Sequence, residues 1–215
     1  LITLGAAIAA GGKPEDARYA AAAIEILHNY TLVHDDLPAM DADEERRGKP
    51  TVWKKFGEAN AILAGDALLS LAYLVAAKTE RNTRQIITVL GEKGVGVVAG
   101  QTEDISRLVF GESERDDFIY LHKTADLFIA AAMMGAYAAG ADERIAGQLG
   151  TFARDLGLAF QYQDDLIDDD GIYGREKTKE LSRSLTESAL QSLTGLPGET
   201  EFLSSLAKSL LGRNV

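Results

Sequence analysis

The residues best suited to chemistry are two acidic groups: Asp35, Asp36 and Asp41 in the run Asp35-Asp36-Leu37-Pro38-Ala39-Met40-Asp41, and Asp164, Asp165 and Asp168 in Asp164-Asp165-Leu166-Ile167-Asp168. Each follows a largely apolar stretch, where crowded carboxylates repel one another and resist burial. Asp164 and Asp168 are four residues apart, so on a helix they project from one face with Asp165 beside them. Hard oxygen ligands suit Mg²⁺, which keeps much of its water and takes one or two carboxylates together with phosphate oxygens. Two such groups facing each other would grip a phosphorylated substrate through shared cations. Judged alone, an acidic trio of this kind is more often the solvated end of a helix.

Neighbouring residues add to the acidic groups. Arg46 and Arg47 follow Asp41 closely, and the planar guanidinium fork suits phosphate oxygens. The same arginines also serve simply to offset Asp43, Glu44 and Glu45. His28 lies two helical turns before Asp35, on about the same face, although a lone histidine is more often a satisfied core residue. Lys123 is equally an ordinary snorkelling lysine, and Gln101 and Asp104 equally helix–helix hydrogen-bonding groups. A calcium loop built around Gly171 fails, because Leu166 and Lys177 fall where acids are required. The glycines at 94, 96 and 100 lack the preceding strand of a nucleotide loop.

Helices must position these groups. Apolar periodicity predicts helices over about 1–10, 14–34, 58–78, 83–108, 115–139, 145–169, 175–193 and 201–211, with Pro38 ending the one that leads into the first acidic group. Residues 46–50 read as a basic loop. No succession of alternating strands is visible, and the fold class is all-α: a single-domain helical bundle over 1–215, with both acidic groups at helix ends. The chain's 215 residues suffice for one sizeable core, and 46% hydrophobic with 26% charged residues is ordinary for a globular protein.

A net charge of −11 disfavours nucleic acid as a partner, and it suits an anionic substrate only if cations mediate the contact. The absence of cysteine excludes disulfides and thiolate metal sites, and fits a reducing cytoplasm. No apolar run reaches the roughly 18 to 20 residues of a membrane span. The longest, Leu127 to Ala141, reads as a closely packed core helix.

At this point a resemblance is plain. The run 25–41, with Arg46-Arg47-Gly48-Lys49-Pro50-Thr51, is similar to the first aspartate-rich motif of trans-isoprenyl diphosphate synthases, and 160–168 resembles the second. Gly100-Gln101-Thr102-Glu103-Asp104 and Lys123-Thr124 match two further motifs of that family in order. The resemblance covers about 1–170. It implies an isoprenoid-synthase bundle around a central substrate cavity, and a homodimer. The implied reaction condenses isopentenyl diphosphate with an allylic diphosphate.

By the same resemblance, Asp35 and Asp41, with Asp36 alongside, hold two Mg²⁺ ions. Asp164 and Asp168, supported by Asp165, hold a third. Arg46, Lys123, Thr124 and Gln161 contact the allylic diphosphate or its developing cation, and His28 and Arg47 bind isopentenyl diphosphate. Tyr30, five residues before Asp35, with Pro38-Ala39 lengthening the first motif, is similar to a short-chain, farnesyl-making pattern, whereas the small Thr31 beside it leaves a twenty-carbon product open. Geranylgeranyl diphosphate is the alternative product, and a non-catalytic prenyl synthase subunit the lesser one. A di-iron bundle would use Glu25-Ile26-Leu27-His28 but needs a second such unit, which is absent. A terpene cyclase is disfavoured by the basic pair. Relative to the family, a segment before Leu1 and another near 170/171 are expected to be missing.

Overall fold

A computed structural model describes residues 1–107, 112–168 and 173–211. Its elements are α1 (Ile2–Ala9), a 3₁₀ turn (Pro14–Ala17), α2 (Arg18–Asp35), the two-residue strands β1 (Glu45–Arg46) and β2 (Lys49–Pro50), α3 (Val52–Phe56), α4 (Glu58–Ala76) and α5 (Thr83–Ser106). They are followed by α6 (Glu112–Ile119), a π turn (Tyr120–Ala125), α7 (Asp126–Ala138), α8 (Glu143–Asp168), α9 (Arg175–Ser192) and α10 (Glu201–Leu211). The all-α expectation holds. The segment thought to be missing near 170/171 lies outside the described residues.

The centre of the bundle is α7, which packs against α1, α2, α5 and α8. Small side chains allow that crowding: Ala130, Ala132 and Ala136 are fully buried, with Met134 among them. A methyl group at Gly135 would overlap the Thr3 carbonyl of α1, so the two helices meet backbone to backbone. Phe152, Leu149 and Leu156 of α8 fill the larger spaces, and α9 covers the far side of α8.

Three expectations change. The helix placed over 115–139 is broken by the π turn, which holds one residue more than an α turn between hydrogen-bonded groups. The basic loop at 46–50 is a hairpin whose turn residues Arg47 and Gly48 have φ of 54° and 74°. Paired positive φ values are the geometry of a tight antiparallel reversal, which matches the strand twist.

The third change concerns α4. Among the described residues it is the one helix long and apolar enough, by length and composition, to cross a membrane: an 18-residue window has mean hydropathy 1.6 and is 22% buried. Asp66 divides its apolar residues, so no uninterrupted apolar run of that length occurs in the sequence. It packs along α2, where a methyl at Gly65 would overlap the His34 ring, and leaves Leu63 and Leu74 about two-thirds exposed.

Candidate active site

The first acidic group sits where α2 ends. The Asp41 amide donates to the Asp35 carbonyl at 2.9 Å, and the Ala42 amide to the Leu37 carbonyl at 3.1 Å. The chain therefore folds back and sets Asp41 beside Asp35. Burial raises the Asp35 carboxyl to about 6, with Lys123 opposing, Asp41 adding to the rise, Arg46 opposing and Asp36 adding. A half-buried carboxyl crowded by two others and pushed up in this way suits a group that would hold a cation.

Asp36 has a different task. It is 4% exposed and accepts from Arg46 Nε at 2.7 Å, with Nη2 of the same guanidinium 2.6 Å from the same carboxylate oxygen, a close ion pair. Arg46 also reaches Asp43 at 3.2 Å. The Thr51 hydroxyl and the Trp53 indole N–H both donate to the Asp43 carbonyl at 2.8 Å, which fastens the hairpin to the loop. Arg47 projects from the hairpin turn and is exposed. Burial lowers the His28 imidazole; Glu25 opposes this, while Arg47 and Arg46 add to it. His28 thus lies within electrostatic reach of both arginines.

The second group lies at the end of α8. Asp165, 6% exposed, accepts from the Tyr120 hydroxyl at 2.8 Å and from the Gln161 amide at 3.1 Å. The Gln161 carbonyl oxygen in turn accepts from the Thr124 hydroxyl at 2.8 Å. Burial pushes the Tyr120 phenol far up, with the bond to Asp165 adding to it, so this chain of bonds stays protonated as written. Asp164 is half-buried and Asp168 exposed at the rim.

The π turn joins the two groups. Lys123 acts electrostatically on Asp35 and pairs with Asp104 at 2.5 Å, while Thr124 and Tyr120 tie to the second group. Gln101, one turn before Asp104 on α5, is 8% exposed, and among the described residues its amide nitrogen and oxygen have no hydrogen-bond partner. The helix–helix bonding role considered for Gln101 is therefore not realised, whereas Asp104 does bond between elements.

Among the described residues, no three acidic or histidine side chains converge as a ready-made metal nest. That follows from Asp36 being turned to Arg46 and Asp165 to Tyr120 and Gln161. What remains suits a cation completed by substrate oxygens rather than by protein alone.

Tyr30 is half-buried, edge-on to His34 with ring centroids 5.0 Å apart, on the side of α2 that faces α4. The Thr31 hydroxyl turns back to the His28 carbonyl at 2.9 Å. Two surface clefts play no part in this arrangement. One, lined by Arg18, Tyr19 and Arg81 among others, is at the opposite end of α2, about 27 Å away for its 18 residues. The other lies between α9 and α10.

The polyprenyl synthetase family model matches residues 1–181. The chain belongs to this family. Geranylgeranyl pyrophosphate synthase 11, chloroplastic, of Arabidopsis thaliana is 42% identical over 198 residues, covering 86% of this chain and 54% of that protein. Putative geranylgeranyl pyrophosphate synthase 8, chloroplastic, of the same plant is 45% identical over 172 residues, covering 74% and 47%. This polyprenyl synthetase chain thus spans about half the length of the curated relatives it matches. The crystal structure of an FPP/GFPP synthase from Zymomonas mobilis superposes with a TM-score of 0.89 at 32% identity, covering 98% of this chain and 81% of that one. The fold is therefore the all-α isoprenoid-synthase bundle.

Proposed function

We propose that this polyprenyl synthetase is an Mg²⁺-dependent short-chain prenyltransferase that joins isopentenyl diphosphate to an allylic diphosphate, with geranylgeranyl diphosphate as the main product. One observation supports the site above all: the π turn spans the two acidic groups, with Lys123 acting on Asp35 and Thr124 and Tyr120 bound to the chain that ends at Asp165. Asp35 and Asp41 from one side, and Asp164 and Asp168 from the other, would hold up to three Mg²⁺ ions together with the allylic diphosphate. Cations held by these residues would supply positive charge to the departing diphosphate and so favour ionisation of the allylic C–O bond.

The chain's own residues do the rest. Lys123 adds positive charge beside the departing group, and Arg46 holds Asp36 and the hairpin in place. His28 and Arg47 bind the diphosphate of isopentenyl diphosphate. The Thr124 hydroxyl and Gln161 present oxygens to the allylic cation, while packed helices keep out water that would quench it. The test is incubation of the full-length protein with Mg²⁺, isopentenyl diphosphate and dimethylallyl, geranyl or farnesyl diphosphate, with products separated by chromatography. Geranylgeranyl diphosphate as the dominant product is expected; no chain extension with any primer would reject the reading.

Farnesyl diphosphate is the second reading, favoured by the bulk of Tyr30 below Asp35. On either reading Tyr30→Ala removes a half-buried ring from the path of a growing tail. The expected result is a shift of the product distribution by at least one five-carbon unit, and an unchanged distribution would remove Tyr30 from that role.

We further propose that the assembly is a homodimer through α4 and α5. Leu63, Leu71 and Leu74 on α4, with Val95 and Val98 on α5, are exposed large apolar residues in one copy. Exposed apolar side chains gathered on two helices in this way are usually covered in the working assembly. Leu63→Glu combined with Leu74→Glu should give a folded monomer by light scattering; an unchanged particle mass would overturn the assignment.

A further inference from the structure

The π turn carries Lys123 and Thr124, and directly after it comes a charged residue that none of the roles above uses. Asp126 is the first residue of α7 and is 1% exposed. Both carboxylate oxygens are engaged. Lys93 of α5 donates to Oδ1 at 2.8 Å, and His122 donates from Nδ1 to Oδ2 at 2.7 Å. The imidazole proton is on Nδ1 because the carboxylate only accepts. His122 also packs at a tilt against Phe118, with ring centroids 4.3 Å apart.

Two glycines on one face of α5 bring this cluster against the backbone. A methyl at Gly96 would overlap Asp126 Oδ2. One at Gly100 would stand 2.5 Å from the Lys123 amide nitrogen and 2.9 Å from the His122 carbonyl carbon. The π turn is thus seated on α5 with no side chain between.

A π turn contains an extra residue, and relaxation to an α register would rotate the side chains on one side of it by about 100° relative to those on the other. The His122–Asp126 bond runs from inside the turn to the residue just past it, across Lys123 and Thr124. Lys93 anchors the same carboxylate to a second helix. The geometry points to Asp126 as a positioning residue: with Lys93 and His122 it locks the π turn, so that Lys123 meets the first acidic group and Thr124 the second at the same time. This rests on prenyl transfer being the reaction at the site.

The test is Asp126→Asn in the full-length protein, assayed with Mg²⁺, isopentenyl diphosphate and an allylic diphosphate. Asparagine keeps the shape but offers only one accepting oxygen to the two donors. A displacement of about 1 Å at the reacting groups corresponds to a fall in kcat of about 10²-fold. KM for isopentenyl diphosphate should stay unchanged, since His28 and Arg47 lie on other elements. Lys93→Arg, which keeps the donor and the charge, should retain kcat.

A merely structural ion pair would lower the melting temperature and leave kcat of the folded protein unchanged, and that result overturns the proposal. Should Asp126→Asn fail to fold, Lys93→Gln decides on the same criterion, because Lys93 is partly exposed. An inactive wild-type protein would sink the prenyl-transfer reading as well. An active wild type with unaltered variants sinks only the lock.

Discussion

Asp35→Asn is expected to make the metal-free protein more stable while lowering prenyl transfer by about 10²–10³-fold, the scale of losing one group that acts on developing charge. The Asp35 carboxyl moves from an ordinary 3.8 to about 6, chiefly because it is buried. The folded state therefore holds this proton more tightly than the unfolded state does. The resulting penalty is absent below about pH 3.8, grows as pH rises, and is complete above about pH 6. At pH 7 it amounts to about 1 to 2 kcal/mol once partial exposure to water is discounted. Asparagine removes the charge and with it the penalty, so the melting temperature should rise by about 2–8 °C. Added Mg²⁺ should raise the melting temperature of the wild type more than that of the variant. Equal stability of the two metal-free proteins at pH 7 would show that the carboxylate is not strained there.

Arg46→Ala should have the larger effect on stability. Asp36 has a side chain only 5% exposed, and the close ion pair with Arg46 is its cation partner among the described residues. Removing one member of a buried pair leaves an uncompensated charge and costs about 3 kcal/mol, at the low end of the usual range because the Arg46 side chain is itself 33% exposed. Asp36→Asn added to Arg46→Ala should recover most of the loss, since the orphaned charge is then gone. Urea unfolding of the two single variants and the double variant closes the cycle. A loss below about 1 kcal/mol for Arg46→Ala would mean that water reaches Asp36 freely. The distinction matters for activity, because weakened diphosphate binding in an Arg46 variant would then reflect a collapsed loop as much as a missing phosphate contact.

How much of this was legible in the sequence depends on how local each feature is. The acidic groups, the helix that leads into the first one and the helix ending in the second follow from residue spacing alone. So does the all-α class. What the spacing does not carry is partner choice across the bundle. Asp36 and Asp165 look like their neighbours in sequence, yet folding turns them to Arg46 and to Tyr120 with Gln161, leaving Asp35, Asp41, Asp164 and Asp168 as the candidate ligands. The hairpin was hidden because Arg47-Gly48 is not a strong reversal signal, whereas Asn-Gly or Asp-Gly would have been. The π turn left no trace in an apolar pattern that reads as continuous helix. Asp126 carried no motif at all, and only the approach of Lys93 and the gap at Gly96 give it meaning.

The widened turn at Tyr120–Ala125 also bears on how relatives of this chain are compared. Its extra residue is a matter of chain length, not of residue type, so a single deletion there would close the turn into an ordinary α turn, keeping α6 and α7 in phase and every aspartate in place but shifting the residues within the turn by one position. Two proteins with identical acidic motifs would then differ in whether their lysine and threonine converge. In an alignment, a one-residue gap at that place says more about competence than most substitutions do.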